Sequence, residues 1–537
     1  MENHNENIRE LTLRIKDKIG KPINNYAVLA TIESFGIRNK DSESDFGVPS
    51  LMYLTDLIFN DLLYSEEHLN AKNIKQRSLK TNRNDAIRVS DYVWVKVKIF
   101  AHYYPLGIFH LLPVFFQIGA IILFGYSLWT YLGFNPVQST AVVMGVILGL
   151  VLTAGFVQVI GRQASFYWNH EDFSMIKKSI DYIIKTGIRT FLLFFSVLFG
   201  INVFLPFYPF QVLVIVFIYS FLIGLLLLYL APLHTIKQRW MIIISVFIGT
   251  ATALILKTKT DLEVYFTHWI GIGLSILVAF IYLKIYFYQK LRNTKTNFNL
   301  DVNPSVFIYH NYHYFGYGFF MYLFLFLDRI LAWTATNKEP LPFLFFFEKN
   351  YELGMDFAIL VFLLLSGVLE YAIASFSRFL DIGQKNTTFL NQNGFNKQLS
   401  KMYWQHILLF IITTIAIFYL IYLLIYSPWG YHDHFSEYLD EISIMVAAVG
   451  GLGYFFLTWG MLNTLYLFTL GQPSTPFKAI VISLICNGGI GFLFSRFIAP
   501  EYSVFGMLFG SILFMAITLK ATISFINQLD YYYYAAY

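Results

Sequence analysis

About twelve long apolar runs constrain this chain of 537 residues more than any other feature of its sequence. Each run holds roughly 17 to 27 residues, and an α-helix of that length crosses about 30 Å of hydrocarbon. The runs lie near residues 106–132, 139–161, 187–206, 210–231, 240–256, 264–289, 313–336, 351–373, 404–426, 442–469, 477–498 and 502–526. Because 57% of the residues are hydrophobic and only 13% are charged, the sequence predicts an all-α polytopic membrane protein.

Lysine and arginine are unequally distributed among the connections between the runs, and cytoplasmic loops carry the excess of these residues. The segment before the first run is basic, whereas "TYLGFNPVQST" after it contains neither residue. Lys237 and Arg239 separate the fourth and fifth runs, and Lys290 and Arg292 follow the sixth. The acidic "SPWGYHDHFSEYLDE" after the ninth run again has neither. This alternation predicts that both termini lie in the cytoplasm.

The order of the twelve runs suggests two consecutive sets of six. When the first run is compared with the seventh, the second with the eighth and so on, the offset rises smoothly from about 207 to about 238 residues. Two repeats of the same sense predict two six-helix bundles that face each other across a central cavity. We therefore divide the chain into an N-terminal segment, 1–90, and two membrane bundles, 91–300 and 301–537.

The first 90 residues form a separate cytoplasmic, helical segment. "NIRELTLRIKDKI" places Ile8, Leu11, Ile15 and Ile19 on one helical face, and "SLMYLTDLIFNDLL" predicts a second helix with Ser50 as its N-cap. The basic linker that follows favours contact with anionic membrane lipids. Two interpretations stay open: a small cap that docks on the membrane bundles, or a docking site for a cytoplasmic partner.

Several classes of function lack their sequence signatures. There is no glycine-rich phosphate loop with its lysine, no HExxH, no GxSxG and no pair of histidines at metal spacing. The single cysteine, Cys486, lies in an apolar run and excludes an intramolecular disulfide. The net charge of +5 is small. We therefore expect a transporter rather than an enzyme, with no cofactor, no metal and no nucleic-acid partner.

Ionisable residues at membrane depth are the most informative positions, because each costs several kcal/mol unless it faces protein or water. The stretch "MYLFLFLDRILAWT" holds Asp328 and Arg329 side by side in the seventh run. Adjacent helical positions diverge by about 100°, so each of these two residues needs a partner on another helix. Asp356, near the outer end of the eighth run, could meet Arg329.

Other candidates lie on the eighth and first runs. Glu370 lies near the inner end of the eighth run, and Arg378 follows two turns later on roughly the same face. His110 and Gln117 share one face of the first run, and a kink at Pro113 between them suits a cavity lining. Buried ion pairs that lock helices together and gating pairs that break during transport both remain open as roles. The candidates for transport or ion coupling are Asp328, Arg329, Asp356, Glu370, Arg378, His110 and Gln117.

Two of these motifs carry a resemblance to a known family. The seventh-run stretch "FLFLDRILAWT", whose acid–base doublet precedes Trp333 by four residues, and the exit "EYAIASFSRFLD" at 370–381 resemble the MOP exporter superfamily. That superfamily includes the MATE drug exporters and the lipid-linked oligosaccharide flippases, and the motifs are most similar to those of PelG-type exopolysaccharide transporters. The likeness covers about residues 100–526 in architecture. Residues 1–90 do not match the family.

The resemblance implies a polysaccharide translocator, a flippase or exporter, in a bacterial inner membrane that alternates between inward and outward openings. Its substrate would be a glycan or lipid-linked glycan, driven by an ion gradient or by polymer synthesis. If residues 1–90 are a docking site, the partner expected to bind there is a cytoplasmic glycosyltransferase or synthase. Two alternatives stay open. One is a MATE-like ion-coupled exporter of small molecules, and the other is a membrane glycosyltransferase or polymerase that uses the acidic "HDHFSEYLDE" loop.

Overall fold

The computed structural model describes residues 2–63 apart from 21 and 23, 89–292 apart from 110, 171 and 207, then 303–335, 345–386, 392–427, 431 and 438–528. Within these ranges the chain forms helices and no β-strand. The all-helical fold predicted from the sequence is therefore confirmed.

Four short helices form a small N-terminal bundle. They are α1 (Glu2–Ile19), α2 (Asn25–Ser34), α3 (Asp41–Phe46) and α4 (51–63). Their apolar faces meet in a core of their own that includes Ile15, Ile32, Leu54 and Ile58. The Ser50 hydroxyl accepts the N–H of Tyr53 at 3.2 Å, so the predicted N-cap of the second helix is present. The segment thus has the apolar core that a small folded unit requires.

Long helices form the membrane part of the chain. They are α5 (Val89–Phe109), α6 (Leu112–Phe124), α7 (Pro136–Asn169), α8 (Phe173–Phe204), α9 (Phe210–Thr235), α10 (Arg239–Lys259), α11 (Val264–Arg292), α12 (Pro304–Ala335), α13 (Lys349–Asn386), α14 (Gln392–Tyr426), α15 (Glu441–Thr469), α16 (Ser474–Phe497) and α17 (Val504–Ile526). In the described ranges, 11 helices are long and apolar enough to span a membrane, and the count is 12 if the bent pair of α5 and α6 is one span. The two parts of that span are bent by 58°. The break lies beside Pro113, which occupies the first turn of α6 where no N–H is required.

The connections between these helices alternate between two faces of the molecule. We call the face that holds the connections α7–α8 and α9–α10 the basic face, because Lys177, Lys237 and Arg239 lie at or near these helix ends. The other face, where α12 ends and α13 begins, is the opposite face. A 32-residue helix such as α12 is about 48 Å long and therefore exceeds the hydrocarbon thickness.

Helices α5–α11 and α12–α17 repeat one packing pattern. In the first half α7 packs mainly on α9 and α10 on α11, and in the second half α13 packs mainly on α15 and α16 on α17. The halves meet chiefly through α7 with α12 and through α5 with α13. The boundary proposed at residue 300 lies outside the described residues and that at residue 90 lies within α5, so the three-part division stays a prediction.

The contact between α7 and α12 depends on glycine. A Cβ on Gly318 would lie 2.7 Å from the carbonyl oxygen of Ala154, and one on Gly155 would lie 2.7 Å from the ring of Phe315. Small residues allow two helix backbones to approach closely within a membrane. The two halves are therefore tightly packed along this pair.

Candidate functional site

A cluster of charged side chains lies where α12 and α13 meet, near the opposite face. The guanidinium NH1 of Arg329 donates to Oε2 of Glu352 at 2.5 Å and lies 3.7 Å from Oδ1 of Asp356. The side chains of Arg329 and Glu352 are 7% and 6% exposed, whereas that of Asp356 is 69% exposed. The cluster therefore combines a buried ion pair with an accessible carboxylate.

Helix ends explain why these residues meet. Arg329 lies six residues before the end of α12, and Glu352 lies three residues after the start of α13, so both are within about 10 Å of the opposite face. Asp356 follows Glu352 by one turn and shares its face. Glu352 also occupies the first turn of its helix, where the helix dipole favours a negative charge.

Two aromatic residues complete the buried part of the cluster. Trp333 Nε1 donates to Oε1 of Glu352 at 2.9 Å, so both carboxylate oxygens of Glu352 are bonded. The Tyr351 hydroxyl donates to Oδ2 of Asp328 at 2.6 Å. Asp328 is fully buried, and its Oδ1 has no hydrogen-bond partner in the described part of the chain. Asp328 and Arg329 thus bond different residues of α13.

Asp356 is the one exposed residue of α13 between positions 350 and 377, all of which the structure describes. It lies eleven residues before Gly367, so the two point within about 20° of each other. Gly367 packs against Tyr104 of α5. The next part of the span, α6, is bent by 58° from α5 and packs mainly on α10, so it does not continue along this face of α13. Asp356 therefore lies exposed on the face of α13 that packs on α5 farther along the helix, and we call the exposed region beside it the opening.

Charge balance determines what this cluster can do. Asp328, Glu352 and Asp356 supply three carboxyl groups, and Arg329 supplies one guanidinium. Glu352 binds Arg329 most closely, which leaves Asp356 available to the opening. An accessible carboxylate can accept hydrogen bonds from hydroxyl groups or bind a proton or a cation. Among the described residues no group of three His, Cys, Asp or Glu side chains is arranged to hold a metal ion.

Glu370 forms an ion pair between the two halves. Its Oε1 lies 3.2 Å from NH2 of Arg239, the first residue of α10. In the sequence, Arg378 follows Glu370 by two turns on roughly the same face of this helix. Arg378 is exposed, and its position two turns away is about 12 Å along the helix axis from Glu370. The ion pair that the structure shows for Glu370 joins it to Arg239 of the other half.

The first-run candidates differ in their outcome. His110 lies outside the described residues. Gln117 is buried, donates to the Thr250 hydroxyl at 2.8 Å and accepts the N–H of Leu128 at 2.7 Å. It fixes α6 to α10 inside the first half, whereas the sequence analysis expected it to line a cavity. The proline kink was predicted correctly, but the direction of the amide was not.

Sequence analysis missed Glu352, Trp333, Tyr351 and Arg239 as members of these contacts. Glu352 carried a usable signal, because it precedes Asp356 by four residues and therefore shares its helical face. Arg239 carried none, since its distance along the chain from Glu370 is 131 residues and only the packing of the halves brings them together.

A second polar contact joins the halves near the opposite face. The Tyr208 hydroxyl accepts the N–H of Phe345 at 2.9 Å and donates to its carbonyl oxygen at 3.1 Å. Burial raises the pKa of the Tyr208 phenol, so the hydroxyl keeps the proton that it donates. The N–H of Phe347 donates to the Thr140 hydroxyl of α7 at 3.0 Å. These bonds anchor the chain immediately before α13 to the first half.

Comparisons with known proteins identify the fold. No model of a known protein family and no curated protein matches the sequence. A MATE crystal structure in complex with MaD5 matches at a TM-score of 0.54 and 12% identity, covering 80% of this chain and 97% of that chain. MATE in the bent conformation matches at a TM-score of 0.53 and 11% identity, covering 81% of this chain and 97% of that chain. The outward-facing conformation of a multidrug resistance MATE family transporter of the MOP superfamily matches at a TM-score of 0.53 and 11% identity. It covers 80% of this chain and 96% of that chain. This chain therefore has the fold of the MATE transporters.

Proposed function

We propose that this chain exports a glycan, free or lipid-linked, across a bacterial inner membrane by alternating access between its two halves. The basic face is cytoplasmic in this proposal, consistent with its lysine and arginine content. The MATE fold supports an exporter, and the two main contacts between the halves allow one half to move against the other.

The accessible carboxylate of Asp356 is the observation that carries the proposal. It is exposed on a helix whose other positions from 350 to 377 are buried or half-buried, on the face that packs on α5 farther along the helix. A charged group in a membrane span that faces water marks a substrate or ion pathway. Asp356 would accept hydrogen bonds from sugar hydroxyls or exchange a proton or cation with the outside.

The sequence motif that resembles PelG-type transporters supplies this same cluster. Asp328, Arg329 and Trp333 each contact α13, through Tyr351 or Glu352. The resemblance therefore falls on residues that build the site rather than on lipid-facing positions. This coincidence favours an exopolysaccharide as the exported glycan.

One observation favours a MATE-like exporter of small molecules instead. The cluster has three carboxyl groups against one guanidinium, a balance that suits a cationic substrate. The third alternative, a membrane glycosyltransferase or polymerase, would use the loop near 427–441, most of which lies outside the described residues. Export assays separate these three functions.

The experiment deletes the gene in its native host and measures secreted carbohydrate. A glycan exporter predicts that secretion is lost, that glycan or its lipid-linked precursor accumulates inside, and that the wild-type chain restores secretion. An exporter of small molecules predicts normal carbohydrate secretion with raised accumulation of a cationic dye. A polymerase predicts that no polymer forms on either side, and either of these last results contradicts the proposal.

The N-terminal bundle gives the proposal a second part. Its helices have their own core, and residues 1–63 precede a basic linker. In this proposal the segment binds a cytoplasmic glycosyltransferase or synthase, and that enzyme would deliver the glycan to the basic face. The basic linker would lie against anionic membrane lipids.

A further inference from the structure

The contact between α5 and α13 is a narrow seam near the basic face. A Cβ on Gly107 would lie 2.6 Å from the Cα of Gly367 and 2.9 Å from the carbonyl oxygen of Ser366. A Cβ on Gly367 would lie 2.8 Å from the Tyr104 ring. The two backbones touch here without space for any side chain. Gly367 is 18 residues from the start of α13, about 27 Å from the opposite face.

Glu370 borders this seam and reaches beyond it. Its Cβ lies 3.0 Å from the position that a Cβ on Gly107 would occupy. Its carboxylate then bonds Arg239 at the first residue of α10, so the ion pair ties the second half to a second helix of the first half. The side chains of Arg239 and Glu370 are 23% and 32% exposed, so neither is fully buried. A partly exposed pair breaks and reforms at a lower cost than a fully buried pair.

The two contacts between the halves are unequal. Helix α7 packs on α12 through Gly155 and Gly318, and at the opposite face the Thr140 hydroxyl of α7 accepts the N–H of Phe347, which lies just before α13. Helices α5 and α13 meet toward the basic face, whereas α6, the part of this span nearer the opposite face, is bent by 58° from α5 and packs mainly on α10. A rotation of one half about the α7–α12 pair would therefore separate α5 from α13.

We propose that the α5–α13 seam is the gate on the basic face, and that the Arg239–Glu370 ion pair holds it closed while the opening beside Asp356 is accessible. This inference rests on the alternating access of the proposed function. Separation of Gly107 from Gly367 would open the path to the basic face, and the rotation that produces it would close the opening beside Asp356. The ion pair would set the ratio of the two states without contacting the substrate.

The test measures cysteine labelling in a chain whose single cysteine is removed by C486S. One reporter, D356C, reports the opening, and another, S366C, reports the seam. A membrane-impermeant maleimide is applied to right-side-out and inside-out vesicles, so that each reporter is labelled from its own face. R239Q and E370Q are each expected to lower labelling of D356C and raise labelling of S366C, each by roughly two- to fivefold. The charge exchange, R239E combined with E370R, is expected to return the labelling of both reporters toward the values measured without these substitutions.

Matched controls separate the gate from general damage. Arg378→Gln removes an exposed arginine from the same helix and is expected to change neither reporter. Gly107→Ala places a Cβ against the Gly367 backbone and should shift both reporters as E370Q does, whereas Gly119→Ala, which has no atom within 4 Å of its Cβ position, should not. Unchanged labelling in E370Q, or increased labelling of both reporters, contradicts the gate. Because labelling needs no substrate, the result stands even if the exported molecule is not a glycan.

Discussion

Arg329 and Glu352 form a nearly buried ion pair at 2.5 Å that joins the last turns of α12 to the first turn of α13. Trp333 bonds the second carboxylate oxygen of Glu352, so the pair is both charged and held in one orientation. Its neighbour Asp356 lies farther from Arg329 and is accessible. We therefore assign the buried pair to stability and Asp356 to transport, and the two roles predict different results on mutation.

Removing one member of the buried pair should destabilise the protein strongly. Glu352→Gln leaves the Arg329 charge buried without its closest partner, which typically costs about 3–5 kcal/mol. The thermal unfolding temperature of the purified protein in detergent, at one fixed heating rate, measures the loss. Asp356→Asn is the matched control, and because Asp356 is mostly exposed we expect a change below about 1 kcal/mol. Equal loss in both variants would contradict the assignment.

Replacing both members by apolar residues should recover stability. Arg329→Met with Glu352→Leu removes the two charges together, and such exchanges are often neutral because they also remove the cost of desolvation. The double variant should therefore unfold at a higher temperature than either single variant. A double variant that is less stable than both single variants would show that the charges themselves are needed for folding.

Asp328→Asn should reduce export while the protein stays in the membrane. The buried Asp328 accepts the Tyr351 hydroxyl, and an amide keeps a hydrogen-bonding side chain but removes the ionisable group. Secreted carbohydrate and the membrane level of the protein are measured together. Tyr351→Phe serves as the control that removes the hydrogen bond and keeps the carboxyl group. Normal secretion in the Asp328 variant would exclude a role for this carboxyl group in coupling.

Removal of residues 1–63 should reduce secretion without lowering the stability of the membrane helices. The segment has its own core, so the truncated chain is expected to keep the unfolding temperature of the membrane helices. Secretion should fall because the docking site for the proposed partner is removed. Full secretion by the truncated chain would show that the bundle is dispensable, and loss of the protein from the membrane would favour the interpretation as a docked cap.

The sequence predicted the helices better than it predicted the contacts between them. Length and hydropathy decide which segments span a bilayer, and the described spans follow the predicted runs, including the break beside Pro113. Periodicity also places Asp328 and Arg329 on different faces. Partner choice depends on how helices rotate and pack, which a single sequence does not encode locally. For this reason the sequence shows Arg378 on roughly the same face as Glu370 but does not indicate Arg239 of the other half, which forms the ion pair.

The same limit explains the remaining differences. Gln117 was expected in a cavity because it is polar, yet the hydroxyl of Thr250 and a backbone N–H satisfy it inside one half. Glu352 was missed because it lies at the end of an apolar run, where an acidic residue is usually assigned to the interface. In each case a partner distant in sequence determined the role of the residue.

Secretion by the Asp356→Asn variant tests the central claim most directly. Because the substitution removes the accessible charge and leaves the buried pair intact, the variant should reach the membrane at the wild-type level and keep the wild-type unfolding temperature. In the deletion host it should secrete less than about a tenth of the carbohydrate that the wild-type chain restores, a difference of about 1.4 kcal/mol in the rate-limiting barrier. Wild-type secretion by this variant would contradict the claim that Asp356 lies on the transport path.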